Sequence, residues 1–106
     1  MNLEHISVHK FRDMMDDERY VLIDVRTQDE FNEGHLEKAT LIDFYSENFP
    51  EEIAKLDRDK EYLVYCHSGG RSSKCMKMMG DMGFKNVFNM SGGILDWTEN
   101  QYEVVK

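Results

Sequence analysis

The chain has 106 residues, which is enough for one domain with a core of its own. Its 21 acidic and 13 basic residues give a formal net charge of −8, which argues against nucleic acid and anionic membranes as partners. The N-terminus has no signal-peptide pattern, and no apolar run is long enough to cross a bilayer. We therefore expect a cytoplasmic protein.

Strand-like and helix-like segments alternate through the first half of the chain. The apolar run 20–25 is typical of a strand buried on both faces. Thr27 and Glu30 have the spacing of a capping box, which marks the start of a helix. The predicted segments are, in order, an edge strand near His5 and Ile6, a helix after Ser7, a strand over 20–25, a short helix from Thr27 to Gly34 and a strand over 39–42.

The alternation continues through the second half. Cys75, Met78, Met79 and Met82 recur at helical spacing, which predicts one buried stripe on a helix. The predicted segments are a helix beginning at Pro50, a strand over 62–65, a helix from Ser72 to Gly83, a strand over 86–89 and a short helix after Gly93. The pattern predicts an α/β fold, in which residues 1–106 form one domain with a mainly parallel central sheet of about five strands and helices on both faces.

A glycine-rich loop joins the strand over 62–65 to the next helix. Glycines allow successive backbone N–H groups to point inward, and the first turn of a helix adds unpaired N–H donors. A cysteine at this place has a stabilised thiolate, so we interpret Cys66 as a nucleophile. The residues predicted to bind its substrate are His67, Ser68, Gly69, Gly70, Arg71 and Ser72.

Single residues of this loop allow more than one role. Arg71 is expected to hold either the loop or a bound anion through its paired N–H donors. His67 either donates a proton or faces solvent, and Ser72 either bonds to the sulfur or caps the helix.

Other residues able to carry chemistry are interpreted as structural. Cys75 lies on the apolar stripe, so we expect a core residue rather than a resolving thiol. His35 follows a glycine in a turn and is expected to form a structural hydrogen bond. The cysteines and histidines lack the close spacing of common zinc ligands, so we predict no metal site.

Several short motifs follow one another along nearly the whole chain. They are Asp24-Val25-Arg26 with Glu30-Phe31, Gly34-His35-Leu36 with Ala39, the loop from Cys66 to Ser72, Gly83-Phe84-Lys85-Asn86-Val87, and Gly92-Gly93-Ile94 with Trp97. In this order and spacing they resemble the rhodanese family in its single-domain form. In that family's pattern, Asp24, Arg26, Glu30 and His35 are expected to hold the scaffold, with Arg26 and Glu30 pairing or bracing a neighbouring loop.

The resemblance implies a sulfurtransferase that forms a persulfide on Cys66. It implies a donor that is a small sulfur-containing anion such as thiosulfate or a protein persulfide. It also implies an acceptor that is cyanide or a thiol, for instance that of a small redox protein. No cofactor is expected, and a monomer is the default.

Three alternatives stay open at this point. Phosphatases and arsenate reductases of the same fold carry a loop one residue longer between the cysteine and the arginine, so the spacing of Cys66 and Arg71 disfavours that activity. A non-catalytic module that binds a partner is the second alternative, although such modules often lack the cysteine. A redox switch between Cys66 and Cys75 is the third.

Overall fold

Strands and helices alternate along the chain, as the sequence predicts. The computed structural model describes residues 2–106. In chain order the elements are β1 (Asn2–Ile6), α1 (Val8–Met15), β2 (Tyr20–Asp24), α2 (Gln28–Glu33), β3 (Thr40–Leu41), α3 (Phe49–Ala54), β4 (Glu61–Tyr65), α4 (Gly70–Asp81), β5 (Asn86–Met90) and α5 (Gly93–Glu99). No helix within residues 2–106 is long and apolar enough to cross a membrane.

The five strands form one sheet in the order β1-β5-β4-β2-β3, and all neighbouring strands are parallel. β1 lies at one edge, as predicted. β3 is shorter than the predicted segment 39–42, because the chain enters it from a turn in which Lys38 has φ 71° and the Ala39 amide donates to the Leu36 carbonyl. β4 lies in the middle, so the residue that follows it emerges at the centre of the carboxyl-terminal edge.

Helices cover both faces of the sheet, which confirms the predicted α/β fold. On one face Ile23, Val64 and Val87 pack with Ile53 of α3 and Met79 of α4. A second cluster covers the other face, where side chains from α1 and α5 meet the sheet; it includes Phe11, Leu22, Leu63, Phe88 and Trp97. Burial of apolar surface on both faces is the main force that holds these layers together.

The long helix α4 differs from its prediction in start and in buried face. It begins at Gly70 rather than Ser72, with Gly69 as its N-cap in the left-handed region. The buried side chains are Ser72, Cys75, Met76 and Met79, whereas Met78 and Met82 are only partly buried. The face includes a serine because the Ser72 hydroxyl bonds to a buried sulfur, and hydropathy alone does not indicate such a contact.

A buried ion pair joins the carboxyl ends of β2 and β4. The Arg26 Nε and Nη2 atoms donate to the Asp24 carboxylate, with an Nη2–Oδ2 distance of 2.7 Å. The Tyr65 hydroxyl donates to the same Oδ2 at 2.7 Å and accepts from the Leu36 amide. Arg26 Nη2 also donates to the Gly34 carbonyl. Each of these five polar groups therefore has a hydrogen-bond partner inside the protein.

The predicted pair between Arg26 and Glu30 does not form. Arg26 is 4 % exposed and lies against Asp24, which is fully buried and needs a cation. Glu30 is only half-buried and has another partner, which is described below. A buried carboxylate gains more from a nearby guanidinium than an accessible carboxylate does, which explains why Arg26 pairs with Asp24 rather than with Glu30.

Asp24→Asn should lower the free energy of unfolding by about 3–5 kcal/mol, because it leaves the buried guanidinium of Arg26 without a counter-charge. Urea denaturation measures this loss. The matched control is Asp59→Asn, which removes an exposed partner of Lys85 at 2.9 Å and should leave the midpoint unchanged. Equal midpoints for the two variants would contradict the prediction.

Candidate active site

The sulfur of Cys66 lies at the bottom of the loop that follows β4. Cys66 is 1 % exposed. The Gly69 amide donates to its Sγ at 3.1 Å, and the Ser72 hydroxyl donates at 3.3 Å. The loop and the first turn of α4 therefore wrap around one sulfur atom.

These donors determine the acidity of Cys66. Burial raises the pKa of its thiol, since a charge is costly to hold away from water. Hydrogen bonds from the Ser72 side chain and from the Ser72, Gly69 and Ser68 amides favour the thiolate and outweigh that effect, so the pKa lies below its ordinary value. Within residues 2–106, the donors that bind the sulfur are thus backbone amides and a hydroxyl rather than a cationic side chain.

The start of α5 accounts for the loop's orientation. The Ile94 amide donates to the Cys66 carbonyl at 2.9 Å, and the Leu95 amide donates to the His67 carbonyl at 3.0 Å. Gly93 has φ +61°, and a Cβ atom there would lie 2.3 Å from the His67 carbonyl oxygen. Only glycine allows this close approach, which satisfies two loop carbonyls on the side away from the sulfur.

Arg71 points toward α2. Its Nη1 and Nη2 atoms donate to Glu30 Oε1 and Oε2 at 2.8 and 2.9 Å. Glu30 also accepts from the Thr27 amide and completes the predicted capping box of α2. Arg71 lowers the pKa of Glu30 to about 2, so the pair is ionised at neutral pH. Glu30 therefore braces the Cys66 loop.

The remaining loop residues lie at the entrance. His67 and Ser68 are exposed, and Gly70 is the first residue of α4. His67 borders an open cavity of about 310 Å³ between α2, α5 and the C-terminal segment. Its lining also includes Glu30, Glu33, Ile94, Thr98 and Val104. All seven predicted residues, from Cys66 to Ser72, thus belong to one continuous structure.

Comparisons with known proteins identify the family of this chain. Residues 7–100 match the model of the rhodanese-like domain. The chain belongs to the rhodanese-like family. YtwF of Bacillus subtilis (strain 168), provisionally assigned as a sulfurtransferase, is 38% identical to this rhodanese-like domain over 98 residues, which are 92% of each chain.

Other relatives are longer proteins. The tRNA uridine(34) hydroxylase of Pectobacterium carotovorum is 34% identical over 98 residues, and the match covers 89% of this chain but 28% of the relative. The rhodanese-like domain thus spans less than a third of that relative.

Solved structures support the fold. A rhodanese-related protein from Thermoplasma volcanium superposes with a TM-score of 0.85 at 28% identity, covering 96% of this chain and 97% of the other. The human single-domain sulfurtransferase TSTD1 superposes at 0.76 with 19% identity over 90% and 95% of the two chains, which shows the fold alone.

Two residues of the rhodanese-like domain have the structural surroundings expected for them. Cys75 is fully buried beside Met79, and burial together with the charge of Cys66 raises the pKa of its thiol to about 12. His35 bonds through Nδ1 to the Phe31 carbonyl at 2.9 Å and stacks on the Phe31 ring. Cys75 is therefore a core residue, and His35 holds the end of α2.

Two contributions to the site do not follow from local sequence patterns. The bond between Glu30 and Arg71 spans 41 residues, and the capping box explains Glu30 without it. Gly93 carries a weak signal, because two adjacent glycines before a short helix indicate a close backbone approach, but they do not identify the Cys66 loop as the neighbour.

The Cys66 thiol should titrate with a midpoint pH below that of an ordinary cysteine. Ser72→Ala should raise this midpoint, because one donor to the sulfur is lost. The ultraviolet absorbance of the thiolate, taken as the difference from Cys66→Ser, measures it. Ser73→Ala is the control, since Ser73 follows Ser72 on α4 but is not among the donors to the Cys66 sulfur. An unchanged midpoint in Ser72→Ala would contradict the assignment.

Gly93→Ala should destabilise the protein by about 3 kcal/mol, because its Cβ would meet the Cys66 and His67 carbonyls in a left-handed backbone conformation. Thermal and urea unfolding measure the loss. Gly70→Ala is the control: no atom lies within 4 Å of the added Cβ, and the residue is helical, so its stability should stay the same or rise. The prediction fails if both variants unfold at the same midpoint.

Proposed function

We propose that this rhodanese-like domain is a sulfurtransferase that carries sulfur as a persulfide on Cys66. The observation that carries the proposal is the sulfur of Cys66 held by the Gly69 amide and the Ser72 hydroxyl, in a loop whose carbonyls are bonded to α5. This arrangement supports a negative charge on the Cys66 sulfur, and the same backbone donors suit the anionic outer sulfur of a persulfide.

The reaction has two displacements. The Cys66 thiolate attacks the outer sulfur of thiosulfate or of a persulfide; the donor's S–S bond breaks, and sulfite or a thiolate leaves with the bonding electrons. The outer sulfur, now bonded to Cys66, carries the negative charge. A thiol or cyanide acceptor then attacks that sulfur, and the Cys66 thiolate is regenerated.

The loop's backbone donors are suited to both steps. They stabilise the negative charge on the Cys66 thiolate before the transfer and on the outer persulfide sulfur after it. Sulfite and thiolates are good leaving groups, so no side chain has to supply a proton. In the first step sulfur passes from one sulfur atom to another, and in the second it passes to the sulfur of a thiol or to the carbon of cyanide. Both displacements are nucleophilic and require neither a cofactor nor a metal.

Two alternative chemistries fit the site less well. A phosphate ester or arsenate would need the paired N–H donors of Arg71, but these already bind Glu30. A redox switch would need a reactive partner thiol, but Cys75 is buried with its pKa raised to about 12. The proposed partners are a small sulfur-containing anion or protein persulfide as donor and a thiol of a small redox protein as acceptor, with the domain acting as a cytoplasmic monomer.

Incubation with a sulfane-sulfur donor should add the mass of one sulfur atom to the wild-type protein and none to Cys66→Ser, because only the former has the nucleophile. Intact-mass spectrometry measures this, with thiosulfate and glutathione persulfide tested separately. Cyanide or a thiol should remove the added mass.

Cys75→Ala is the control, because it removes the other thiol of the chain and should still gain the sulfur. Absence of the added mass with every donor would sink the proposal and favour a binding module without catalysis. A gain on Cys66→Ser would place the carrier at Cys75 instead.

A further inference from the structure

The two displacements differ in what happens to a proton. In the first, the attacking group is the Cys66 thiolate, which the loop already stabilises. In the second, the attacking group is an acceptor thiol, and an ordinary thiol has a pKa of about 8.5, so most of it is protonated at neutral pH. The thiolate is the nucleophile in such exchanges. The S–H proton of the acceptor therefore has to pass to another group.

An acceptor that comes from solvent meets the exposed residues of the loop. Cys66 is 1 % exposed, so its sulfur is approached past its neighbours. The exposed residues between Cys66 and Ser72 are His67, Ser68 and Gly70. Of these three, His67 alone has a side chain that exchanges a proton near neutral pH, because imidazole is the group suited to that range.

The backbone of His67 is fixed, whereas its imidazole is available. The His67 carbonyl accepts from the Leu95 amide at 3.0 Å, and the residue follows Cys66 directly, so the two Cα atoms lie about 3.8 Å apart. Within residues 2–106 the His67 ring has no hydrogen-bond or ion-pair partner. Each of the other histidine rings has a partner; these residues are His5, His9 and His35. A ring nitrogen beside the nucleophile is thus left for an incoming acceptor.

The other charged groups beside His67 are unsuited to take this proton. The cavity of about 310 Å³ that His67 borders is also lined by Arg26, Glu30 and Glu33. Arg26 is already a cation, and Arg71 lowers the pKa of Glu30 to about 2, so neither accepts a proton at neutral pH. Glu33 is exposed, but a carboxylate is a weaker base than an imidazole. The remaining lining residues do not titrate; they are Gly34, Ile94, Thr98 and Val104.

We propose that His67 is the general base of the second displacement and takes the S–H proton of the acceptor thiol. The inference rests on the proposed function. The proton passes to an imidazole nitrogen while the acceptor's sulfur attacks the outer sulfur of the Cys66 persulfide. The S–S bond to Cys66 breaks, Cys66 leaves as a thiolate with the bonding electrons, and the acceptor departs as a persulfide anion. His67 then gives the proton to water.

The first experiment measures the second displacement alone. Protein loaded with sulfur on Cys66 is freed from the donor and mixed with excess acceptor, and intact mass over time gives the rate at which the added sulfur is lost. Two acceptors are compared: 2-mercaptoethanol, which is mostly protonated at neutral pH, and 2-nitro-5-thiobenzoate, an aromatic thiol that is already ionised there.

His67→Gln should lower the ratio of the mercaptoethanol rate to the thiobenzoate rate about tenfold at neutral pH, because only the protonated thiol needs a base. An unchanged ratio would overturn the role of His67.

Two matched variants test whether the effect belongs to His67. Glu33→Gln removes the other exposed titratable side chain of the cavity, and His9→Gln removes an exposed histidine of α1 that does not line it. Both should keep the wild-type ratio. A tenfold fall in Glu33→Gln without one in His67→Gln would assign the base to Glu33 instead.

A pH profile separates proton transfer from a structural role. The wild-type rate with mercaptoethanol should level off near neutral pH, whereas that of His67→Gln should keep rising about tenfold per pH unit as the thiolate forms. Added imidazole should restore the rate of His67→Ala several-fold. Parallel profiles in the wild type and His67→Gln, or no rescue by imidazole, would contradict a base at this position.

The outcomes also distinguish this inference from the proposed function. If no donor adds sulfur to the wild type, the sulfurtransferase is wrong and the role of His67 is wrong with it. If sulfur is gained and then lost with the same ratio of rates in the wild type and His67→Gln, the sulfurtransferase stands and only the base is wrong.

Discussion

The backbone between Cys66 and Ser72 directs its amides and its carbonyls to opposite sides, and both sets need hydrogen-bond partners. Its amides surround a sulfur atom, so its carbonyls need partners on the opposite side, away from water. The first amides of α5 donate hydrogen bonds to these carbonyls. They reach the loop only because Gly93 has no side chain. The activated thiolate, the entrance beside His67 and the position of Leu95 all depend on this crossing of two backbone segments.

Two acidic residues of one sequence motif stabilise this arrangement in different ways. Asp24 is enclosed and joins the ends of β2 and β4 through Arg26 and Tyr65, so it fixes the strand that delivers Cys66. Glu30 remains partly accessible and joins α2 to the first turn of α4. The first contact supports the scaffold. The second binds both terminal nitrogens of Arg71.

Periodicity and capping chemistry predicted the layers, the parallel sheet and the loop that contains Cys66, because those signals are local. Local signals could not predict which distant residue each polar side chain binds. Arg26 and Glu30 are four residues apart and complementary in charge, yet each binds another residue, since burial of Asp24 decides the competition. Ser72 likewise lies on the buried face of α4, where hydropathy would place Met78. It is buried because its hydroxyl bonds to the sulfur of Cys66, which follows β4.

The pairing of β1 with β5 has a consequence for how the thiolate arises during synthesis. Asn2 and Asn86 are neighbours although 84 positions separate them, so this contact closes nearly the whole chain into one loop. Contacts of such high sequence separation form late and slow folding. On the ribosome, Cys66 and its donors Gly69 and Ser72 emerge before α5, whose amides bind the carbonyls on the opposite side of the loop. The Cys66 loop therefore gains its complete set of backbone hydrogen bonds only when the last helix docks on it.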